Sequence, residues 1–251
     1  MDLELKGRTA LVTGASAGIG RAIAMELGKE GVRLVITGRR KPELEKLRDE
    51  VVSAGGTRPG IVAHDAMDEG YVDAIAKECE NTLEGEVQIL VNNAGGSRAF
   101  GKDATDTQWE EAFTLNFTRH RQLTLRFLPA MQAKKWGRVI YITGKQEPDG
   151  VNGAFCAKAA LTAFSKGLSR EVGKQGITVN CIGPGRIMSD QIRRNYTPEY
   201  RAWQSEHEIP MGRYGEPEDL AVLAVFLASP RAGYITGTVS PVDGGLRRYQ
   251  Y

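Results

Sequence analysis

Short apolar, β-branched runs recur along the chain with helix-period stretches between them, and no other feature limits the possible folds so tightly. The runs cover residues 9–13, 32–37, 61–64, 89–92, 138–143, 178–182 and 238–242. The helical stretches cover 18–30, 43–54, 70–83, 107–131, 153–174 and 217–228. The runs are continuously apolar rather than alternating, which marks strands covered on both faces and hence a parallel sheet. The expected fold is α/β: a single-domain Rossmann-type doubly wound parallel sheet of about seven strands, flanked by helices, over residues 1–251. One stretch, 186–214, breaks the alternation and carries Tyr196, Tyr200, Trp203 and Tyr214 among Asn195, Pro198 and Pro210. A long insertion at the carboxyl end of a sheet suits a substrate lid, with a plain helical cover or an oligomer contact as the alternative.

Composition narrows the function classes. Lys plus Arg number 33 against 31 Asp plus Glu, so overall charge gives no footprint for nucleic acid. The Arg pairs at 193–194 and 247–248 read as solvated surface. No apolar run approaches the roughly 20 residues that span a bilayer, and no targeting pattern opens the sequence, so a soluble, cytoplasmic protein without a membrane partner is expected. Cys79, Cys156 and Cys181 are odd in number and match no metal or redox spacing; no metal is expected. Cys156 reads as a buried, inert thiol, although Lys158 stands close enough to raise its reactivity.

The first run leads into Thr13-Gly14-Ala15-Ser16-Ala17-Gly18-Ile19-Gly20 and then a helix. Gly14 allows the tight turn, Gly18 lets the backbone approach a pyrophosphate, and Gly20 lets helix and strand pack closely. The helix N-terminus then offers free N–H groups and partial positive charge to phosphate. Ser16 and Ile19 belong to the same loop. At the end of the second strand a carboxylate would select NAD, but Gly38 stands there, followed by Arg39 and Arg40. Guanidinium pairs with phosphate, so NADP(H) is the expected cofactor, with Arg39 as the main contact to its 2′-phosphate. Asp65, with Ala66 beside it, suits either the adenine amino group or the N-cap of the next helix.

These residues resemble the short-chain dehydrogenase/reductase family, in its classical-type branch, over nearly the whole chain. Residues 13–20 match its TGxxxGIG, and Asn92-Asn93-Ala94-Gly95 its NNAG. Asn116 matches the asparagine of its long helix, and Pro184-Gly185 with Ser189 its nicotinamide-side PGxxxT. Residues 212–217, 235–237 and 242–245 match its C-terminal pattern. The resemblance implies a seven-stranded parallel sheet, a homotetramer, a small-molecule substrate and hydride transfer between NAD(P)H and a carbonyl or alcohol. It places Asn93, Ala94, Gly95, Pro184, Gly185 and Ile187 against the cofactor. In the family an Asn–Ser–Tyr–Lys set acts: tyrosine moves the proton, lysine holds the nicotinamide ribose, serine positions the oxygen and asparagine completes a proton path.

The chain departs from that set. Its YxxxK segment is Phe155-Cys156-Ala157-Lys158, and Gly144 aligns with the serine, with Thr143 one residue away. Asn116 and Lys158 are kept. Phenylalanine has no proton to give, and losing a positioned acid costs about 10² to 10⁴ in rate. Replacement acids in order of expectation are Lys145, Glu147, Tyr196 and Tyr200, with Tyr141 weaker because its strand is buried. The leading expectation is an NADP(H)-dependent oxidoreductase with a non-standard proton donor. It would act on an apolar or ring-bearing carbonyl or alcohol, or on a related C=N or C=C bond, held against Gly144, Lys145, Phe155 and the lid. The alternatives are a non-redox lyase or isomerase, or an NADP-binding pseudoenzyme, on the same scaffold.

Overall fold

A computed structural model describes every residue except Ala99, Lys145, Gln146, Asp149 and residues 249–251. Its strands are β1 (Thr9–Val12), β2 (Arg33–Gly38), β3 (Gly60–Ala63), β4 (Ile89–Asn92), β5 (Gly137–Ile142), β6 (Ile177–Pro184) and β7 (Val239–Val242). They form one seven-stranded sheet in the order β3-β2-β1-β4-β5-β6-β7, and every pairing is parallel. The chain works outward from β1 to β3 and returns to lay β4 against the other side of β1. That reversal opens a crevice at the carboxyl ends of β1 and β4.

The apolar runs form strands because both faces are covered. In β1, Ala10 and Val12 join one buried cluster and Leu11 the other; in β4, Ile89 and Val91 oppose Leu90 in the same way. The first cluster contains Ile23 and Leu27 of α1 (Gly18–Lys29), Leu44 and Leu47 of α2 (Lys41–Ser53), and Leu220 of α9 (Pro217–Ala228). The second contains Ile75 of α3 (Tyr71–Leu83), Leu123 and Phe127 of α5 (Arg119–Lys134), and Leu161 of α6 (Gly153–Val172). Each such leucine or isoleucine stabilises the fold by about 1.5–3 kcal/mol through burial. No helix among the described residues is long and apolar enough to cross a membrane.

Local structure departs from the sequence expectation in three places. The single helix expected over 107–131 is two, α4 (Asp106–Phe113) and α5, joined by a π-helical turn at Thr114–Thr118. The side chain of Asn116 causes this: its Nδ2 donates to Ala112 O at 2.9 Å, taking the carbonyl its own backbone N–H would use, and Arg119 N then reaches back to Thr114 O. Second, 186–214 is largely helical, with α7 (Asp190–Asn195) capped by Ser189 and α8 (Pro198–His207) capped by Thr197. Third, Cys156 is exposed rather than buried; Ala157 and Leu161 are the inward residues of that stretch of α6.

Candidate functional site

The loop between β1 and α1 is locked from both sides. Thr13 Oγ1 accepts from the backbone N–H of Asn93 and of Ala94, each at 2.9 Å, while Asn93 Nδ2 donates to Thr13 O and Gly14 O at 3.0 and 3.1 Å. Gly14 has φ +67°, and a Cβ there would lie 2.8 Å from Ala94 Cα. At Gly20 a Cβ would fall 2.3 Å from Asn93 Nδ2, so the close helix packing expected of this glycine is real. Gly18 has φ +54° with nothing within 4 Å of a Cβ, so open space lies over it. Ala17, the N-cap of α1, provides no side-chain hydrogen bond, and the first turn has no acid. These N–H groups therefore face the crevice uncapped and suit an anion.

Along this loop runs a cleft of about 1530 Å³, reaching from Gly38 and Arg39 past Gly18 to Phe155 and Lys158. Arg39 is exposed at its near end, its guanidinium 3.8 Å from Asp65. Arg40 is committed elsewhere: it donates to Ser16 O at 3.1 Å and pairs with Asp190 of α7 at 3.5 Å. A Cβ on Gly38 would meet the Ser16 side chain at 3.0 Å, leaving an acid little room there. Asp65 Oδ1 accepts from Met67 N in a tight turn and does not cap α3, whose N-cap is Gly70. Ala66, Asn93, Ala94, Gly95, Pro184, Gly185 and Ile187 also line the cleft. The segment at Ile187 is pinned by Met188 N donating to Gly215 O at 2.7 Å and Gly215 N to Arg186 O at 2.9 Å.

At the far end, Lys158 Nζ donates to Thr143 O at 3.0 Å, and burial pulls its pKa down to about 8. Gly144 leaves room beside it, since a Cβ there would lie 3.2 Å from Lys158 Cδ, a tight contact. Phe155 lines the cleft beside Lys158. Asn116 does not line it: fully buried, it exchanges hydrogen bonds with the Gly96 backbone through both its amide atoms and so holds the 95–96 segment in place. Beneath lies a buried polar group: His120 Nδ1 is 3.2 Å from Asn92 Oδ1, and Thr124 Oγ1 is 2.7 Å from the Tyr141 hydroxyl and 3.1 Å from Asn92 Nδ2.

The replacement acids separate. Tyr196 and Glu147 line the cleft, Tyr200 and Tyr141 do not, and Lys145 lies outside the described residues. Tyr141 is inside the sheet, where burial raises its pKa. Tyr200 stacks on Trp203, with ring centres 5.9 Å apart, on the exposed side of α8. Sequence reasoning missed Arg98, Arg186 and residues 246–248, all of which line the cleft. Position after Pro184-Gly185 was the available signal for Arg186; nothing local marked the tail. Among the described residues no group of three or more His, Cys, Asp or Glu is placed to hold a metal ion.

A doubly wound sheet with a Gly-rich loop, an uncapped helix N-terminus and a cleft at the switch point defines a Rossmann-type protein. A family profile described as "Enoyl-(Acyl carrier protein) reductase" matches residues 14–247. The chain is 37% identical over 248 residues to the 3-oxoacyl-[acyl-carrier-protein] reductase FabG of Pseudomonas aeruginosa, covering 97% of this chain and 99% of that one. It is 36% identical over 253 residues to the oxidoreductase UcpA of Escherichia coli, covering 96% and 95%. Among solved structures, L-sorbose reductase from Gluconobacter frateurii, complexed with NADPH and L-sorbose, superposes with a TM-score of 0.91 at 32% identity, covering 99% of this chain and 100% of that one. A 7α-hydroxysteroid dehydrogenase complexed with NADH and 7-oxo glycochenodeoxycholic acid gives a TM-score of 0.91 at 31% identity, covering 97% of this chain and 96% of that one. The chain belongs to the short-chain dehydrogenase/reductase family of nicotinamide-dependent oxidoreductases.

Proposed function

We propose that this protein is an NADP(H)-dependent reductase or dehydrogenase of a small carbonyl or alcohol substrate with an apolar part, and that it draws its proton from a group other than the family's tyrosine. The observation that carries the proposal is the unbroken cleft from Arg39, over the open space at Gly18, to Lys158 and Phe155. Arg39 would hold the 2′-phosphate, the uncapped start of α1 the pyrophosphate, and Lys158 the nicotinamide ribose. Gly185 and Ile187 would form the nicotinamide wall. When bound, the cofactor supplies a hydride to the substrate carbon, and the oxygen takes a proton as C=O becomes CH–OH.

Phe155 stands where the family carries tyrosine and Gly144 where it carries serine. Phe155 then offers an apolar surface for the substrate body, and segment 186–214 covers it as a lid. Described groups that can hold a proton and line the cleft include the Lys158 ammonium, the Tyr196 hydroxyl and the Glu147 carboxyl. Lys158 below pH about 8 is an ammonium beside the reacting end, where it steadies developing negative charge on oxygen.

Fluorescence titration with NADPH and NADH, followed by a panel of carbonyl, imine and enone substrates, tests the proposal. NADPH binds tighter than NADH, and Arg39→Gln weakens NADPH by roughly 10- to 100-fold while leaving NADH unchanged. Equal affinity for the two cofactors, or no loss in Arg39→Gln, would overturn the NADP assignment. Tight binding without oxidation by any panel member would overturn the redox assignment.

A further inference from the structure

The substrate end of the cleft holds positively charged groups whose hydrogen-bonding capacity is not used. Arg98 is engaged, pairing with Glu111 at 2.7 Å. Arg186 is different. Its Nη1 donates to the Tyr196 hydroxyl at 3.4 Å, its Nη2 stands 3.7 Å from Glu208 Oε2, and its buried Nε has no hydrogen-bond partner among the described residues. A guanidinium has five N–H donors, and among the described residues this side chain makes a single long hydrogen bond. Its plane is steadied by the Tyr196 ring, whose centre lies 5.6 Å from Cζ. Nε is closed to solvent, so a bound partner meets Arg186 through its Nη groups, whose own partners are long or beyond hydrogen-bond reach.

Arg247 repeats the pattern from a second segment. Its Nε is also buried without a hydrogen bond among the described residues, 3.7 Å from Glu147 Oε1. The two arginines follow β6 and β7, which are paired strands. Gly185 N donates to Val242 O at 3.0 Å, and a Cβ on Gly185 would lie 2.5 Å from Asp243 Cα, so the segments leave the sheet in contact. Asp243 in turn accepts from Arg247 N at 3.0 Å. Thus two incompletely paired guanidiniums from neighbouring segments line the cleft that Phe155 and the residues assigned to the nicotinamide also line.

We propose that the molecule this site accepts carries a carboxylate, that Arg186 binds it, and that Arg247 supports it from the neighbouring segment. A carboxylate matches the planar fork of a guanidinium and gives Arg186 the two-point partner that Glu208, beyond hydrogen-bond reach, does not. The remainder of the molecule lies along Phe155 and Leu115, so the class is an oxo or hydroxy acid with an apolar body. The proposal rests on the oxidoreductase assignment only for the word oxo; the anion contact stands independently of turnover.

The test uses 2-oxo and 3-oxo acids bearing alkyl or phenyl groups, each paired with its methyl ester. Binding to the NADPH-loaded protein is measured by calorimetry, and NADPH oxidation is followed separately, for wild type, Arg186→Gln and Arg186→Lys. In the wild type the acids bind roughly 10- to 100-fold tighter than their esters. Arg186→Gln abolishes that gap by weakening the acids alone, Arg186→Lys restores part of it, and NADPH affinity is the same in all three, which reports that the variants are folded. Acids and esters binding alike in the wild type, or a gap that survives Arg186→Gln, overturns the proposal. A gap without oxidation of NADPH sustains the carboxylate contact and defeats the redox assignment; oxidation with no gap does the reverse.

Discussion

Lys158 carries more of the proposed chemistry than any other side chain, and its environment makes that measurable. Buried beside Thr143 and uncrowded by Gly144, its ammonium loses its proton near pH 8 rather than at the 10.5 of a free lysine. The charged form, present below about 8, is the one that would donate to ribose hydroxyls. NADPH affinity therefore falls as pH rises through about 8, by roughly tenfold for one lost charge-assisted hydrogen bond. Lys158→Ala starts weaker and shows no such step. A step of equal size in Lys158→Ala would remove Lys158 from the cofactor site. Phe155 beside it was legible in the sequence as an anomaly, because a motif with one wrong member is conspicuous. Arg186 was not, since a guanidinium's unmet hydrogen bonds depend on Tyr196 and Glu208, which other parts of the chain deliver.

At the scale of elements, the turn from β1 into α1 tolerates least. Gly20 brings α1 against Asn93, so Gly20→Ala must push apart the loop that Thr13 and Asn93 tie together. The expected cost is about 1–3 kcal/mol of stability, read from a urea midpoint. It is accompanied by loss of NADPH binding, read from the same fluorescence titration. An unchanged midpoint would mean that the helix slides freely past β4. Strands and helices such as β4 and α9 were legible from sequence at their observed limits, since burial on both faces writes continuous apolar runs and helices write a different period. The π-helical turn was not, because it arises from the Asn116 amide finding Ala112 O one turn back and Gly96 in the loop after β4. Segment 186–214 lacked a strand-like run and so looked irregular, although Ser189 and Thr197 already marked two helix starts.

Across the whole molecule, the buried polar group under the cleft joins α5 to the sheet and sets an acid limit on stability. Burial, aided by the charge of Lys158, holds His120 neutral down to about pH 3, against 6.5 when unfolded. The unfolded chain thus binds a proton between those values that the folded chain refuses. Stability from this residue is complete above pH 6.5 and falls toward pH 3, by at most about 1.4 kcal/mol per pH unit. His120→Asn lowers stability at neutral pH, and its deficit shrinks as urea midpoints are taken from pH 7 toward pH 4.5. A constant deficit would mean that His120 titrates alike in both states.

The same group has a consequence for how the chain finds one alignment of its strands. With oil on both sides of the sheet, a strand that slips by one residue swaps its two sets of apolar side chains and exposes neither to water, so polarity cannot detect the error. Asn92 and Tyr141 can. Each has a polar group that meets Thr124 on one side only, and a slip would strand an amide or a hydroxyl among the leucines of α1 and α9. Polar atoms on β4 and β5, at the centre of an apolar sheet, thereby serve as its proofreaders.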